Sequence, residues 1–433
     1  MDFVLLVVTT GVLFLRPLDF APEFATLPLY LCCLLLTAAV AGEPVLRQLN
    51  PEALAARPVT VCIVGLLAAI VLSQLAQGSV WAARTGGTEF AKVVLYYLVL
   101  LAVLRTPERF RTFLGWLAVF FGGVALLALL QYHEIVNLPH FTVLQQRQFN
   151  EETGETSLLP RLVGFGMFND PNDLCLMLLA GMGIAAYFML ENSGPTRLAW
   201  AAGLAGFGYA LALTQSRGGF IALMVGTLIL FQARYGVWKA AALAGLALPV
   251  LFLGFGGRQT SFTSDSEAGS DRLELWREAL ALFKEAPLFG IGQHEFEDRI
   301  GLVAHNSFVH CFAELGYLGG TLFLGAVLTA LWGLYRLGRK DVAIADPQMQ
   351  RLRPYVLAIT AAYFIGVLSL SRSYIAPTYL MLGLAVTFAV LASGPRRALL
   401  PQLNGPYLGR LAVCGVGFII GLHVFLKVAA LRG

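Results

Sequence analysis

The run TFLGWLAVFFGGVALLALLQY at 112–132 places 21 residues in a row without a charge. A helix of that length is about 30 Å long, the thickness of a bilayer's hydrocarbon core. Similar runs recur. Candidate spans fall at 2–15, 27–41, 58–77, 89–104, 112–132, 171–190, 196–214, 218–234, 237–256, 312–336, 354–371, 374–393 and 408–428. In lipid, only helices or a closed barrel satisfy every backbone polar group. These runs are continuous rather than alternating at period two, which selects helices. The expectation is an all-α polytopic membrane protein with twelve or thirteen transmembrane helices, the uncertainty in count coming from the two short first spans.

The rest of the composition agrees. The chain is 58% hydrophobic and 13% charged, against about 25% charged in a soluble protein. The formal net charge of +4 is dispersed, which excludes a nucleic-acid partner and leaves the lipid bilayer. None of the six cysteines stands in a CxxC pair, so neither a disulfide framework nor a zinc site is indicated. Met1 to Leu15 has no basic start and no small-residue cleavage site, so it reads as a first membrane helix rather than a removed leader. The chain shows no internal repeat and reads as one transmembrane domain over 1–433.

Basic flanks set the expected orientation. Alternate loops collect Arg47, Arg57, Arg105, Arg109, Arg111, Arg234, Arg336, Lys340, Arg351, Arg353, Arg396, Arg397 and others, with few acids. By the positive-inside rule that face is cytoplasmic. Loop 133–170, with Glu151, Glu152, Glu155 and Asp170, then lies outside. So do the corners at 215–219 and 371–374 and the long insertion at 257–311.

That insertion is the most polar part of the chain. Residues 257–316 hold three of the six histidines (His294, His305, His310) and the cations Arg258, Arg272, Arg277, Lys284 and Arg299. Loops of this length are functional or disordered. Leu273, Trp276, Leu280 and Phe283 recur at helical spacing, which predicts a short amphipathic helix ended by Pro287, with Gly290 and Gly292 beyond.

Three stretches on the same face carry chemistry. In RLVGFGMFNDPNDLC at 161–175, Asp170 before Pro171 reads as an N-cap and Asp173 as a first-turn acid. A capped helix leaves Arg161 unexplained. In LTQSRGGF at 213–220, Arg217 stands at a helix end, where snorkelling is the plain alternative. Two glycines follow it and would open the backbone to a bulky anion, and a guanidinium fork suits phosphate. In AHNSFVHCFAELG at 304–316, His305 opens a helix, and His310 and Glu314 are four apart and share a face. A histidine at a membrane mouth is placed to act as a general base on a hydroxyl. Glu314, deeper, reads as a buried packing group.

At these residues the chain resembles the bacterial O-antigen ligase and O-antigen polymerase superfamily. The resemblance rests on FNDPND at 168–173, TQSRGG at 214–219, DRLELWREALALFKEAPLFGIG at 271–292 and HNSFVHCFAELGYLGG at 305–320. It implies a membrane glycosyltransferase of the bacterial inner membrane, with its site facing the periplasm. The donor would be an undecaprenyl diphosphate-linked glycan, and the acceptor a glycan repeat, lipid A–core or a protein. The reaction implied is inverting and independent of metal and cofactor. His305 matches the histidine that assists the acceptor hydroxyl. Arg217 and Arg272 match diphosphate-holding arginines, with Arg161 a third. Asn306, His310, Glu314, Asn169 and Asn172 would support them, and Glu295 is the nearest acid to the loop glycines. The competing class is a transporter or flippase of lipid-linked saccharides, which would show inverted repeats and helices broken at the midplane.

Overall fold

The computed structural model describes residues 1–20, 22–24, 27–137, 144–149, 156–254, 267–339, 342, 344–394 and 401–431. For 22, 146–149, 156–158, 248, 250–254 and 267–270 it describes the backbone alone. Glu151, Glu152, Glu155, Arg258, Lys340, Arg396 and Arg397 lie outside the described residues.

The helices in chain order are α1 (Asp2–Leu15), α2 (Leu29–Val40), α3 (Gly42–Arg47), α4 (Pro51–Ala55), α5 (Pro58–Ala76), α6 (Val80–Val103) and α7 (Pro107–Tyr132). A hairpin follows, β1 (Leu144–Phe149) and β2 (Thr156–Arg161). Then come α8 (Pro171–Glu191), α9 (Gly194–Leu213), α10 (Arg217–Tyr235), α11 (Val237–Gly254), α12 (Glu267–Glu285) and α13 (Glu295–Ile300). The chain closes with α14 (Ser307–Arg336), α15 (Pro347–Gly366), α16 (Ala376–Ser393) and α17 (Gly405–Ala430). The protein is an all-α polytopic membrane protein. All thirteen expected spans fall on helices. Among the described residues, nine helices are long and apolar enough to cross a bilayer. Of the other four, α1, α2 and the apolar part of α11 are shorter, and α9 has the length without being among the nine. The antiparallel hairpin, with Leu144 opposite Arg161, is an addition to the expected loop 133–170.

Packing between helices follows membrane rules, in which small residues admit close approach and buried hydroxyls pair across helices. Gly226 faces Ala362 so closely that an added Cβ would stand 2.9 Å from the alanine Cβ. Thr10 pairs with the Tyr96 hydroxyl at 3.0 Å and Thr60 with that of Tyr97 at 2.9 Å. These bonds tie α1 and α5 to α6.

α14 is interrupted at Gly316, whose φ of 62° and ψ of −162° belong to a region that is essentially glycine-only. The break frees carbonyls and N–H groups inside the helix, and these need partners. Residues 287–292 supply them. Ile291 and Gly292 donate to the Ala313 and Glu314 carbonyls at 3.2 and 3.0 Å. Tyr317 and Leu318 donate to the Pro287 and Leu288 carbonyls at 2.8 and 3.2 Å. A Cβ on Gly316 would stand 2.5 Å from the Gly290 nitrogen. The polar insertion is thus threaded into a helix rather than laid over the bundle. The break lies nearer the start of α14 than its end.

Two ends of the bundle can be told apart. At one, Arg351 near the start of α15 pairs with Glu191 at the end of α8 at 2.8 Å, and Arg105 and Arg109 bond Asp2 at 2.7 and 3.1 Å. At the other, the starts of α8, α10, α14 and α16 meet the end of α15.

Candidate active site

The site end is assembled by helix caps. Asp170 caps α8 by accepting from the Asn172 N–H at 2.8 Å. Ser216 caps α10 by accepting from Gly219 at 3.1 Å, and its hydroxyl also donates to Asn172 Oδ1 at 2.6 Å. One hydrogen bond therefore locks the starts of α8 and α10 together. Asn306 caps α14, its Oδ1 accepting from Phe308 and Val309 at 3.0 and 3.2 Å. His305 does not open this helix, as the sequence had suggested. It stands ahead of the cap with φ 48°, a left-handed conformation that turns the chain into α14.

The amphipathic helix appears as α12. Leu275, Ala279, Leu280 and Leu282 are buried, and Trp276 Nε1 donates to the Ala304 carbonyl at 2.9 Å. That bond fixes α12 directly against the residue before His305. Arg272, one turn earlier, is brought close enough to His305 and Arg217 for their charges to interact. Burial, and then the Arg217 charge, lowers the Arg272 pKa. Burial, and then Arg272, likewise holds the His305 imidazole below its ordinary 6.5, with Asp170 acting in opposition. The three residues singled out for donor and base thus form one cluster.

Arg161 plays a different part. It is buried, its Nε donates to the Thr214 carbonyl at 2.8 Å, and Leu162 bonds the Leu213 carbonyl at 2.9 Å. Burial lowers its pKa while Asp170 raises it. Its guanidinium holds the corner that presents Arg217. The two glycines after Arg217 do not leave open backbone for an anion. The Ser369 hydroxyl fills the space beside Gly218, and a Cβ on Gly219 would stand 2.6 Å from Cys175 Sγ. Their smallness admits α8 and the turn that follows α15.

His310 and Glu314 do share a face, with Nε2 and Oε2 3.2 Å apart, both buried. Glu314 Oε1 also accepts from the Phe296 N–H at 3.4 Å, and the Tyr374 ring lies 6.1 Å from that of His310. The pair joins α13 and the 371–375 corner to α14. Asn169 is exposed. Glu295 pairs with Arg299 at 3.6 Å.

Arg372 was missed by sequence reasoning. It grips Asp173 with both arms, Nε to Oδ1 at 2.6 Å and Nη2 to Oδ2 at 2.5 Å. Burial opposes its charge most strongly, but the Asp173 bond together with the charges of Asp173 and Asp170 offsets it and raises the pKa. Its N–H donates to Ser307 Oγ at 2.8 Å, and Ser373 Oγ donates to the Ser307 carbonyl at 2.8 Å. Asp173 is therefore more than a first-turn acid. The usable signal was the charge in SLSRSY at 369–374, on the same face as the other cations. Among the described residues, no three His, Cys, Asp or Glu side chains gather as metal ligands.

Comparison with known proteins adds one finding. Residues 201–324 match the family model described as O-antigen ligase, which supports the resemblance to the O-antigen ligase and polymerase superfamily. The match runs from within α9 into α14 and includes Arg217, Arg272 and His305. Arg161 and Arg372 fall outside it. No curated protein matches the chain.

Proposed function

We propose that the chain transfers a glycan from an undecaprenyl diphosphate carrier to an acceptor hydroxyl on the periplasmic face of the inner membrane. The observation carrying this reading is the convergence of Arg217, Arg272 and His305, from three separate elements, at one end of the bundle. Arg217 and Arg272 hold the diphosphate and stabilise the negative charge that builds as it leaves. His305, kept neutral by burial and then by the neighbouring Arg272 charge, takes the proton of the attacking hydroxyl. Attack opposite the leaving diphosphate inverts the anomeric centre, and the charges required are supplied by side chains rather than a metal or cofactor. Asn306, Asn172, Arg161, His310 and Glu314 hold the caps and corners that aim these groups. The whole chain acts as one transmembrane domain, with 257–311 as its insertion.

Deleting the gene and analysing the cell-envelope glycan tests this. Loss of attachment with intact polymer identifies a ligase for lipid A–core or protein, and single-repeat glycan identifies a polymerase. An unchanged glycan, or lipid-linked glycan stranded on the cytoplasmic leaflet as for a lost flippase, overturns transfer.

A further inference from the structure

A cavity of about 360 Å³ lies between the end of α1, the start of α2 and α6, also at the site end. That volume is in the range of ligand pockets. Its lining is largely apolar, with Val12, Leu13, Leu27 and Leu31, but Arg16, Asp19, Tyr30 and Lys92 converge on it. Lys92 sits inside the candidate span Val80–Val103. An ionisable residue in such a helix marks a functional site by default. Arg16 pairs with Asp19 at 2.9 Å and Lys92 with Glu89 at 2.7 Å. The acids are 28% and 64% exposed. Such pairs contribute little and are readily exchanged, whereas a phosphate offers charge-assisted bonds to both cations. The buried Tyr30 hydroxyl has no hydrogen-bond partner. One wall is Met167, in the turn that leads into Asp170. A Cβ on the neighbouring Gly166 would collide with the Arg16 side chain, so the Arg16 stem crosses that same turn.

We propose that this cavity is a second lipid-phosphate site, the seat of the acceptor's lipid anchor beside the transfer centre. Apolar walls with Arg16 and Lys92 among them match an amphiphile with a phosphate head. The assignment to the acceptor rests on the transfer reading above, in which the donor diphosphate occupies Arg217 and Arg272.

The probe is phosphatidic acid with a photoreactive acyl chain, added to the full chain in phosphatidylcholine nanodiscs. Labelled peptides should map to residues 12–31 and the segment around Lys92, about tenfold more strongly than with photoreactive phosphatidylcholine. Lys92→Met and Arg16→Gln should each lower labelling about tenfold. Lys92→Arg should retain it and so exclude misfolding as the cause. Equal labelling by the two lipids, or undiminished labelling of both charge-neutral variants, overturns the site. Loss of labelling in millimolar inorganic phosphate overturns the lipid assignment in favour of a free anion. Failure of the transfer reading shows separately, as parent-like labelling by a protein whose deletion leaves the envelope glycan unchanged.

Discussion

The two ends of the bundle carry similar charges in opposite arrangements. At the end holding Asp2 and Glu191, arginines bond acids, a tyrosine hydroxyl or a backbone carbonyl. Arg105 and Arg109 share Asp2, Arg351 takes Glu191, Arg234 bonds the Tyr355 hydroxyl and Arg353 the Ala233 carbonyl at 3.0 Å. At the site end, Arg272 faces the charge of Arg217, and His305 faces Arg272. Like charges held together are unfavourable unless an anion arrives to join them. Asp173 relieves Arg372, and Asp170 is the acid shared by Arg161, Arg372 and His305. On the transfer reading proposed above, one end anchors and the other receives a negatively charged ligand.

If that contrast is right, substitutions at the two ends should separate widely. The largest loss should come from His305→Ala, about 10²–10⁴ in kcat with the protein still accumulating in membranes. Transfer by the purified variant at the parent rate would reduce His305 to a turn residue. Next comes Arg217→Lys, which keeps the charge but loses the fork. Its kcat/KM for the lipid-linked donor should fall roughly tenfold to a hundredfold, and parent kinetics would favour simple snorkelling.

A smaller effect should appear in the pH profile. As a base, His305 must be neutral, and its pKa lies below 6.5. The kcat/KM should therefore hold as pH falls through 6.5 and drop only below the lowered value. Arg272→Gln removes a positive neighbour, protonation becomes easier, and the acid limb should move upward. A limb that stays in place would separate the two residues. The smallest effect belongs to the opposite end. Arg351→Gln removes a pair whose arginine is half-exposed and whose acid is mostly covered, and should alter stability by about 1 kcal/mol, with transfer unchanged.

Much of this was legible in the sequence, because apolar runs and helix caps are local signals. The thirteen runs, the cap at Asp170 and the amphipathic α12 needed only neighbours in the chain, whereas the cap at Asn306 was passed over in favour of His305. What escaped depends on distant partners. Arg372 and Asp173 are separated by 199 positions, and an arginine between two apolar runs reads alone as an interfacial residue. The break at Gly316 escaped because SFVHCFAELGYLGG is compatible with an unbroken helix, and its cause is the PLFGIG segment that fills it. The glycines after Arg217 were misread for the same reason, since Cys175 and Ser369 come from other helices. The function of the arginines and histidine is an extension from these contacts and from the match over 201–324.

Direct binding of undecaprenyl diphosphate to the full chain in detergent addresses the contrast without any acceptor. The comparison is between the double variants Arg217→Gln/Arg272→Gln and Arg105→Gln/Arg351→Gln. The first should weaken Kd by about a hundredfold or more, and the second should stay within about threefold of the parent. A parent-like Kd in the first variant, or a loss confined to the second, would contradict the assignment of the diphosphate to the His305 end.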